Sequence, residues 1–242
     1  MAAAHRAGLA ALGAWDEFRQ GAWAVIPAVV AVIPFGLLLG ALAAQKGLSP
    51  LEVGLMSGLV FAGSAQLVAI DLWTEPAPWV LLGLTALTIN ARHLMMSASL
   101  ARKLGAFKPW QRLVGMAFLA DEIWALAEQR AASGRLHPAF YAGVAAFLYL
   151  SFVCSTVAGA IVGPAIENPE AWGFDFAFIA IFLGLIAGFW RGPATGFVIA
   201  ASAIAAVLVE AHLGGVWHVL AGGAAGMIIA ALLVRHQAQR HP

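Results

Sequence analysis

The sequence predicts an all-α, polytopic integral membrane protein: a helix bundle of about six full spans plus two irregular or re-entrant segments. Three observations carry that prediction. Hydrophobic residues make up 62% of the 242 positions and charged residues 10%, with a mean hydropathy of +0.87, far from the balance of a soluble domain. Long apolar runs recur at Ala22–Ala44, Trp79–Thr88, Ala139–Pro164, Phe176–Phe189, Ala194–Val209 and Val216–Val234, and most of them are long enough to cross a hydrocarbon core. None alternates apolar and polar residues as a barrel strand does, and backbone groups in lipid must be satisfied within their own segment, so the runs are read as helices.

Residues 1–20 carry His5, Arg6, Asp16, Glu17 and Arg19 but lack the short apolar core and cleavage site of a secretory signal. They are expected to form a cytoplasmic amphipathic lead-in to the first span. That span holds Pro27 and Pro34, which should kink it, either as a structural bend or beside a pathway. Basic residues mark cytoplasmic loops, so Arg102, Lys103, Lys108 and Arg112, then Arg130 and Arg135, and finally Arg235 and Arg240 are placed inside. The Pro164–Asp175 connection holds Glu167, Glu170 and Asp175 without Lys or Arg, and Glu210 with His212 marks another such loop; both are placed outside.

If every run crosses fully, the strongest basic cluster falls on the wrong side. The conflict disappears if Leu51–Ile70 and Leu113–Leu126 are broken, and each contains a reason to break: Gly54, Gly58 and Gly63 in the first, Asp121 and Glu122 in the second. The alternative is a plain bundle of seven or eight full spans with a weak charge bias. No Gly/Ser linker or low-complexity tract interrupts the chain, so a single transmembrane domain over 1–242 is expected.

Composition and spacing also exclude function classes. A net charge of +1 offers no field for nucleic acid. The single cysteine, Cys154, excludes an internal disulfide and reads as a small buried packing residue. His93, His137, His212 and His218 lie in different segments without a metal-ligand motif, and no phosphate-binding loop is present, so neither a metal, another cofactor nor a built-in ATP motor is expected. An intramembrane enzyme would need a nucleophile–base pair that the sequence does not present.

What remains is a set of polar residues inside apolar runs, where an Asp, Lys or Arg at a helix centre costs about 2.5–3.5 kcal/mol on insertion scales. In Val60-Phe61-Ala62-Gly63-Ser64-Ala65-Gln66, Gly63 permits unusual backbone angles and Ser64 can cap a helix restarting at Ala65. Such a start offers free N–H donors and a positive dipole end to a substrate carboxylate, while close packing through small residues is the competing reading. In Thr88-Ile89-Asn90-Ala91-Arg92-His93, Asn90 and His93 share a helix face. Arg92 points elsewhere and needs an acid partner, unless it is an ordinary anchor near the interface. Of the adjacent Asp121 and Glu122, which cannot share a face, one is expected to pair with Arg92 and the other to be free to carry a proton; a solvated helix end is the alternative.

These residues, with Pro34-Phe35-Gly36 and Met56-Ser57 before them, occur in an order that resembles the AzlC (azaleucine-resistance) family, densely from about Pro27 to Trp124. The resemblance implies the large subunit of a bacterial inner-membrane exporter of branched-chain, apolar amino acids, working with a small AzlD-type membrane subunit and driven by an ion or proton gradient. A zwitterion needs N–H donors for its carboxylate and an acceptor for its ammonium, so Gly63 and Ser64 are assigned to the carboxylate, Gln66 and Asn90 to orientation, Asp121 to the ammonium or a coupled proton, and Arg92, His93 and Glu122 to coupling or gating. A non-transporting scaffold or assembly subunit, whose polar residues only lock helices together, is the competing expectation.

Overall fold

In the computed structural model, residues 13–165, 183, 186–187, 190, 192–213 and 217–240 are described. Among them all regular structure is helical. The chain forms two compact units: one holds the chain to Pro78 and Asn90–Leu183, the other Trp79–Ile89 and the chain from Gly184.

In the first unit, α1 (Ala14–Ala24) meets α2 (Ile26–Gln45) at Val25. Pro27 lies in the first turn of α2, where the missing N–H costs nothing, so it marks a helix start and not the kink expected from its place in the apolar run. Pro34 is interior to α2 and cannot donate to the carbonyl one turn before it. Next, α3 (Pro50–Val60) is opened by a capping box in which Ser49 Oγ accepts from the Glu52 amide at 3.3 Å and Glu52 accepts from the Ser49 amide at 2.7 Å. After a break at Phe61–Ala62 comes α4 (Gly63–Asp71). The next helix in the chain, α5 (Trp79–Asn90), belongs to the second unit up to Ile89; after Ala91 the first unit continues with α6 (Arg92–Ala101). A 3-10 turn at Leu104–Ala106 leads to α7 (Pro109–Ala117), a second break, and α8 (Asp121–Ser133). The unit closes with α9 (Pro138–Val162) and a 3-10 turn at Gly163–Ala165. In the second unit, α10 (Pro193–Leu213) packs on α11 (Trp217–Arg240), with Gly222 and Gly226 set against Ser202.

Among the described residues, α2, α9 and α10 are long and apolar enough to cross a membrane. Both segments expected to be irregular are broken. At about 1.5 Å per residue, the 11-residue α3 and the 9-residue α4 each reach only about halfway across a hydrocarbon core. The run Phe176–Phe189 and the Pro164–Asp175 connection lie mostly outside the described residues, as do residues 1–12. Glu210 and His212 do not form a loop: both sit in the last turns of α10, and Glu210 pairs with His218 of α11 at 2.7 Å.

The helix α9 organises the first unit, packing along α1 and α2 and touching α3, α7 and α8. Its contact with α2 is made by small residues on both sides. Gly36 faces Ser155, Gly40 faces the carbonyl of Thr156, Gly159 faces the backbone of Leu37, and Gly163 faces Ala41. Gly21 of α1 and Gly143 of α9 likewise lie against the carbonyls of Phe140 and Phe18. Helices in lipid gain no hydrophobic drive from meeting each other, and small residues let dispersion and backbone contacts take its place. The buried stripe of α9 runs through Leu148, Phe152, Ser155, Thr156 and Gly159. Cys154 falls off that stripe and is exposed, which corrects its expected burial. An outward helix face in lipid is as apolar as an inward one, so hydropathy does not distinguish the two.

A side chain at Gly40 would collide with backbone, which cannot yield as a flexible side chain can. Gly40→Val is expected to lower the stability of the detergent-solubilised protein by about 1–3 kcal/mol or to abolish folded yield. Gly83→Val, at a position with open space around it, should leave thermal unfolding nearly unchanged in the same assay.

Candidate functional site

The first break begins where Phe61 turns the chain with φ 43° and ψ 47°, a left-handed conformation rare for a non-glycine residue. Such strain persists only where packing over-determines it. The Phe61 ring is buried against Tyr149 (centroids 5.2 Å), Phe152 (5.8 Å) and Phe118 (6.5 Å). The left-handed residue is therefore Phe61, and the expected conformational role of Gly63 gives way to a steric one: a Cβ there would sit 2.6 Å from Phe35 Cε1. Helix α4 restarts at Gly63 with Ala62 as its cap and no side-chain cap bond. Ser64 lies inside the first turn, so its hydroxyl is available for another partner.

Stopping a helix leaves its last carbonyls without amide donors. Tyr149 resolves this for α3 by donating to the Gly58 carbonyl at 3.0 Å, and Tyr141 does the same for α7 by donating to the Gly115 carbonyl at 2.7 Å. These are the two tyrosines of the chain, and both lie on α9. In the second break, Leu119 and Ala120 are non-helical, and the Leu119 carbonyl faces His93 Nε2 at 3.1 Å, while His93 Nδ1 faces the Asn90 carbonyl at 3.1 Å. Two carbonyls can both be bonded only by a ring carrying both N–H groups; a neutral imidazole satisfies one.

The N-terminal turns of α4 and α8 meet in a cavity of about 60 Å³ lined by Val32, Phe35, Phe61, Ala62, Gly63, Ser64, Arg92, His93, Ala120, Asp121, Glu122, Leu148 and Phe152. That volume holds a few waters, and a larger occupant requires the walls to move. Arg92 bonds Asp121 at 2.9 Å and donates to Ser64 Oγ at 2.6 Å, joining the two helix starts through one guanidinium. Its Nε is buried without a partner among the described residues. Glu122, also on the wall, has no cation within ion-pair distance among the described residues. Both acids stand in the first turn of α8, where the helix dipole favours negative charge by about 0.3–1 kcal/mol each.

Of the residues singled out from the sequence, Gly63, Ser64, Arg92, His93, Asp121 and Glu122 come together at this cavity. Gln66 and Asn90 do not line it. Among the described residues, buried Gln66 has no partner for either amide atom, and Asn90 Oδ1 has none either. Pro27 and Pro34 are also off the wall. Arg130 is no solvated anchor: it makes a 2.7 Å ion pair with the buried Glu17 of α1 and lies 4.9 Å from the Phe140 ring centroid. Sequence reasoning missed Tyr141 and Tyr149. Their signal was a phenol in an otherwise apolar run, which needs a hydrogen-bond partner once buried.

The family profile described as "AzlC protein" matches residues 27–166. The chain belongs to the AzlC family. The matched AzlC region contains every residue of the cavity wall and both broken helices. Among curated proteins, the chain is 28% identical over 217 residues to an "Uncharacterized membrane protein" of Archaeoglobus fulgidus, covering 89% of this chain and 91% of that one. It is also 28% identical over 185 residues to "Inner membrane protein YgaZ" of Escherichia coli, covering 72% and 74% respectively. No solved structure matches. With its apolar helices and these relatives, this AzlC member is a helical membrane protein.

Removing either phenolic hydroxyl strands a carbonyl. Tyr149→Phe and Tyr141→Phe should each destabilise the folded protein by about 1–3 kcal/mol in thermal unfolding. Hydrogen exchange should rise at the break served by that tyrosine and not at the other. Arg92→Ala, Asp121→Ala and the double variant should show a coupling of about 0.5–3 kcal/mol in a double-mutant cycle.

Proposed function

We propose that this chain is the large subunit of a two-component secondary transporter that exports branched-chain, apolar amino acids across a bacterial inner membrane together with a small AzlD-type subunit. The single observation that supports this reading best is the cavity at the two helix breaks, which combines amide-rich helix starts, an unpaired carboxylate and apolar walls. A zwitterionic amino acid needs all three: donors for its carboxylate, an acceptor for its ammonium and an apolar surface for its side chain.

The first-turn amides at Gly63 and Ser64, with the Nε of Arg92, suit the substrate carboxylate. The ammonium falls to Glu122 and not to Asp121, because the Asp121 carboxylate is occupied by Arg92. Val32, Phe35, Leu148 and Phe152 are the wall that a branched side chain would touch. The cavity of about 60 Å³ corresponds to a closed state, and loading requires Phe35 and Phe152 to part, as alternating access around a fixed midplane site entails. His93 stands between the Asn90 and Leu119 carbonyls at the second break, and the export proposed here is ion- or proton-coupled.

The test is efflux of preloaded radiolabelled leucine, methionine and lysine from cells expressing the chain with and without its small partner, at matched membrane levels. Leucine efflux that depends on both subunits is expected. Glu122→Gln should reduce it by about tenfold or more, the worth of one charge-assisted hydrogen bond. Lysine should not be moved, because its second ammonium would meet the apolar wall. If wild type exports none of the three while assembling normally, the reading is wrong and a scaffold role takes its place.

A further inference from the structure

The helix α9, 25 residues long and about 37 Å at 1.5 Å per residue, is a ruler for the first unit. Along it the two broken segments enter from opposite ends. Gly54 of α3 lies against Val157, and Gly58, one turn on, against Tyr149. From Gly63, beside Phe35, α4 runs back until the Asp71 carbonyl accepts from Lys46 Nζ at 3.0 Å. Lys46 follows the end of α2, just ahead of α3, so α3 and α4 leave from and return to the same end. The other pair does the reverse. The Phe107 ring, ahead of α7, meets Tyr141, and Phe118, at its end, meets Tyr149. From Asp121, α8 returns until Arg130 lies over the Phe140 ring, and its Glu128 is paired with Lys103, which precedes α7. Each pair is therefore a hairpin, tied across its mouth by one lysine.

The hairpins also share a plan. Each opens with Pro in the first helical turn, Glu52 accepting from the Ser49 amide at 2.7 Å and Gln111 from the Lys108 amide at 2.8 Å. Each first helix ends on Gly-x-x-Phe, Gly58 to Phe61 and Gly115 to Phe118, with the glycine carbonyl bonded by a tyrosine of α9. Six residues after each of those glycines stand Ser64 and Asp121, the two partners of Arg92. One plan inserted in two opposite senses is an inverted repeat, the construction that gives a secondary transporter one site with two ways in. Charge sets the sides. The second hairpin and its flanks, residues 102–137, carry Arg102, Lys103, Lys108, Arg112, Arg130 and Arg135, whereas residues 46–78 carry Lys46 alone. The second mouth thus belongs to the cytoplasmic side and the first to the outer side.

We propose that the two hairpins are separate gates to the cavity. The first closes the outer route through Lys46 on the Asp71 carbonyl, and the second closes the cytoplasmic route through Lys103 on Glu128. Arg92 keeps the two tips joined while one mouth or the other releases. As gates for an amino acid they rest on the export reading above. The latches differ in strength. Glu128 also accepts from Ser99, which accepts from Trp124, whereas the outer latch is one exposed bond to a carbonyl. The outer mouth is the easier of the two to open.

The test uses the full chain with Cys154→Ser, so that one introduced cysteine reports at a time. Gln45→Cys and Glu75→Cys, flanking the first hairpin, should both react with a membrane-impermeant maleimide in intact cells. Arg102→Cys and Ser133→Cys, flanking the second, should react only after permeabilisation. A hairpin with its flanks on opposite sides overturns the proposal. Ala120→Cys, on the cavity wall, then reads the gates. Adding Lys46→Met should speed its modification from outside by about tenfold, the worth of one charged hydrogen bond, with no gain in inside-out vesicles. Lys103→Met should do the reverse, and Lys46→Arg, which keeps the donor, should match the parent. Rates that do not change, or that rise equally from both sides, overturn the proposal. Leucine efflux from the same cells separates the two readings. Absent efflux with the labelling pattern intact removes the substrate and supports the gates, and intact efflux with a failed pattern removes the gates alone.

Discussion

In lipid, a backbone group freed from its helix has no water to turn to, and every structural feature of the first unit answers that constraint. Two helices stop partway, at Phe61 and at Phe118. Each stop strands carbonyls, and α9 supplies the donors through Tyr149 and Tyr141. A phenol reaches a carbonyl only if α9 runs close to both α3 and α7, and α9 is held in place by its contact with α1 and α2. The glycines at 36, 40, 143 and 159 make that contact possible. The cavity exists because the helices stop there, and the stops are tolerated because α9 is near. Packing and site are one arrangement.

The polar side chains serve the same arrangement from α8. Its first turn is tied to α6 through Asp121 and Arg92, and through Arg92 to Ser64 of α4. Midway, Trp124 donates to Ser99, which donates to Glu128, and Glu128 also pairs with Lys103. Near its end, Arg130 pairs with Glu17 under the Phe140 ring. A buried ion pair of this kind gains little net stability, because desolvation of both charges offsets their attraction. Its use is in register: a rotation of α8 by one residue would break all three ties and carry Glu122 off the cavity wall.

The breaks were legible because two independent signals disagreed. Basic residues placed the Arg102–Arg112 cluster inside, counting full spans placed it outside, and only interrupted helices at Leu51–Ile70 and Leu113–Leu126 reconciled them. The pairing of Arg92 with one of two adjacent acids followed from the expense of a lone guanidinium in lipid. Details set by three-dimensional packing were not legible. A phenylalanine in left-handed conformation cannot be anticipated when a glycine stands two residues later, because the ring cluster that holds Phe61 draws on Phe118, Tyr149 and Phe152, distant in sequence. Glu17 and Arg130 read as surface charges because their partnership spans 113 positions. Cys154 read as buried because a membrane helix shows no amphipathic contrast between its lipid and protein faces.

The adjacency of Asp121 and Glu122 gains its meaning from this geometry. Successive residues on a helix point about 100° apart, so one guanidinium cannot neutralise both, and Arg92 is committed to Asp121. Two acids with one cation would be a liability in a helix interior. At a helix start the dipole of α8 offsets part of the second charge, and the start of α4 faces the same cavity with its own positive end. The site can therefore hold one carboxylate without a side-chain cation. In the proposed exporter, that uncommitted charge is what a cationic group, either a substrate ammonium or a proton, can neutralise and then release. The Arg92–Asp121 pair, being already neutral, gains nothing from either and keeps the two helix starts joined through the cycle.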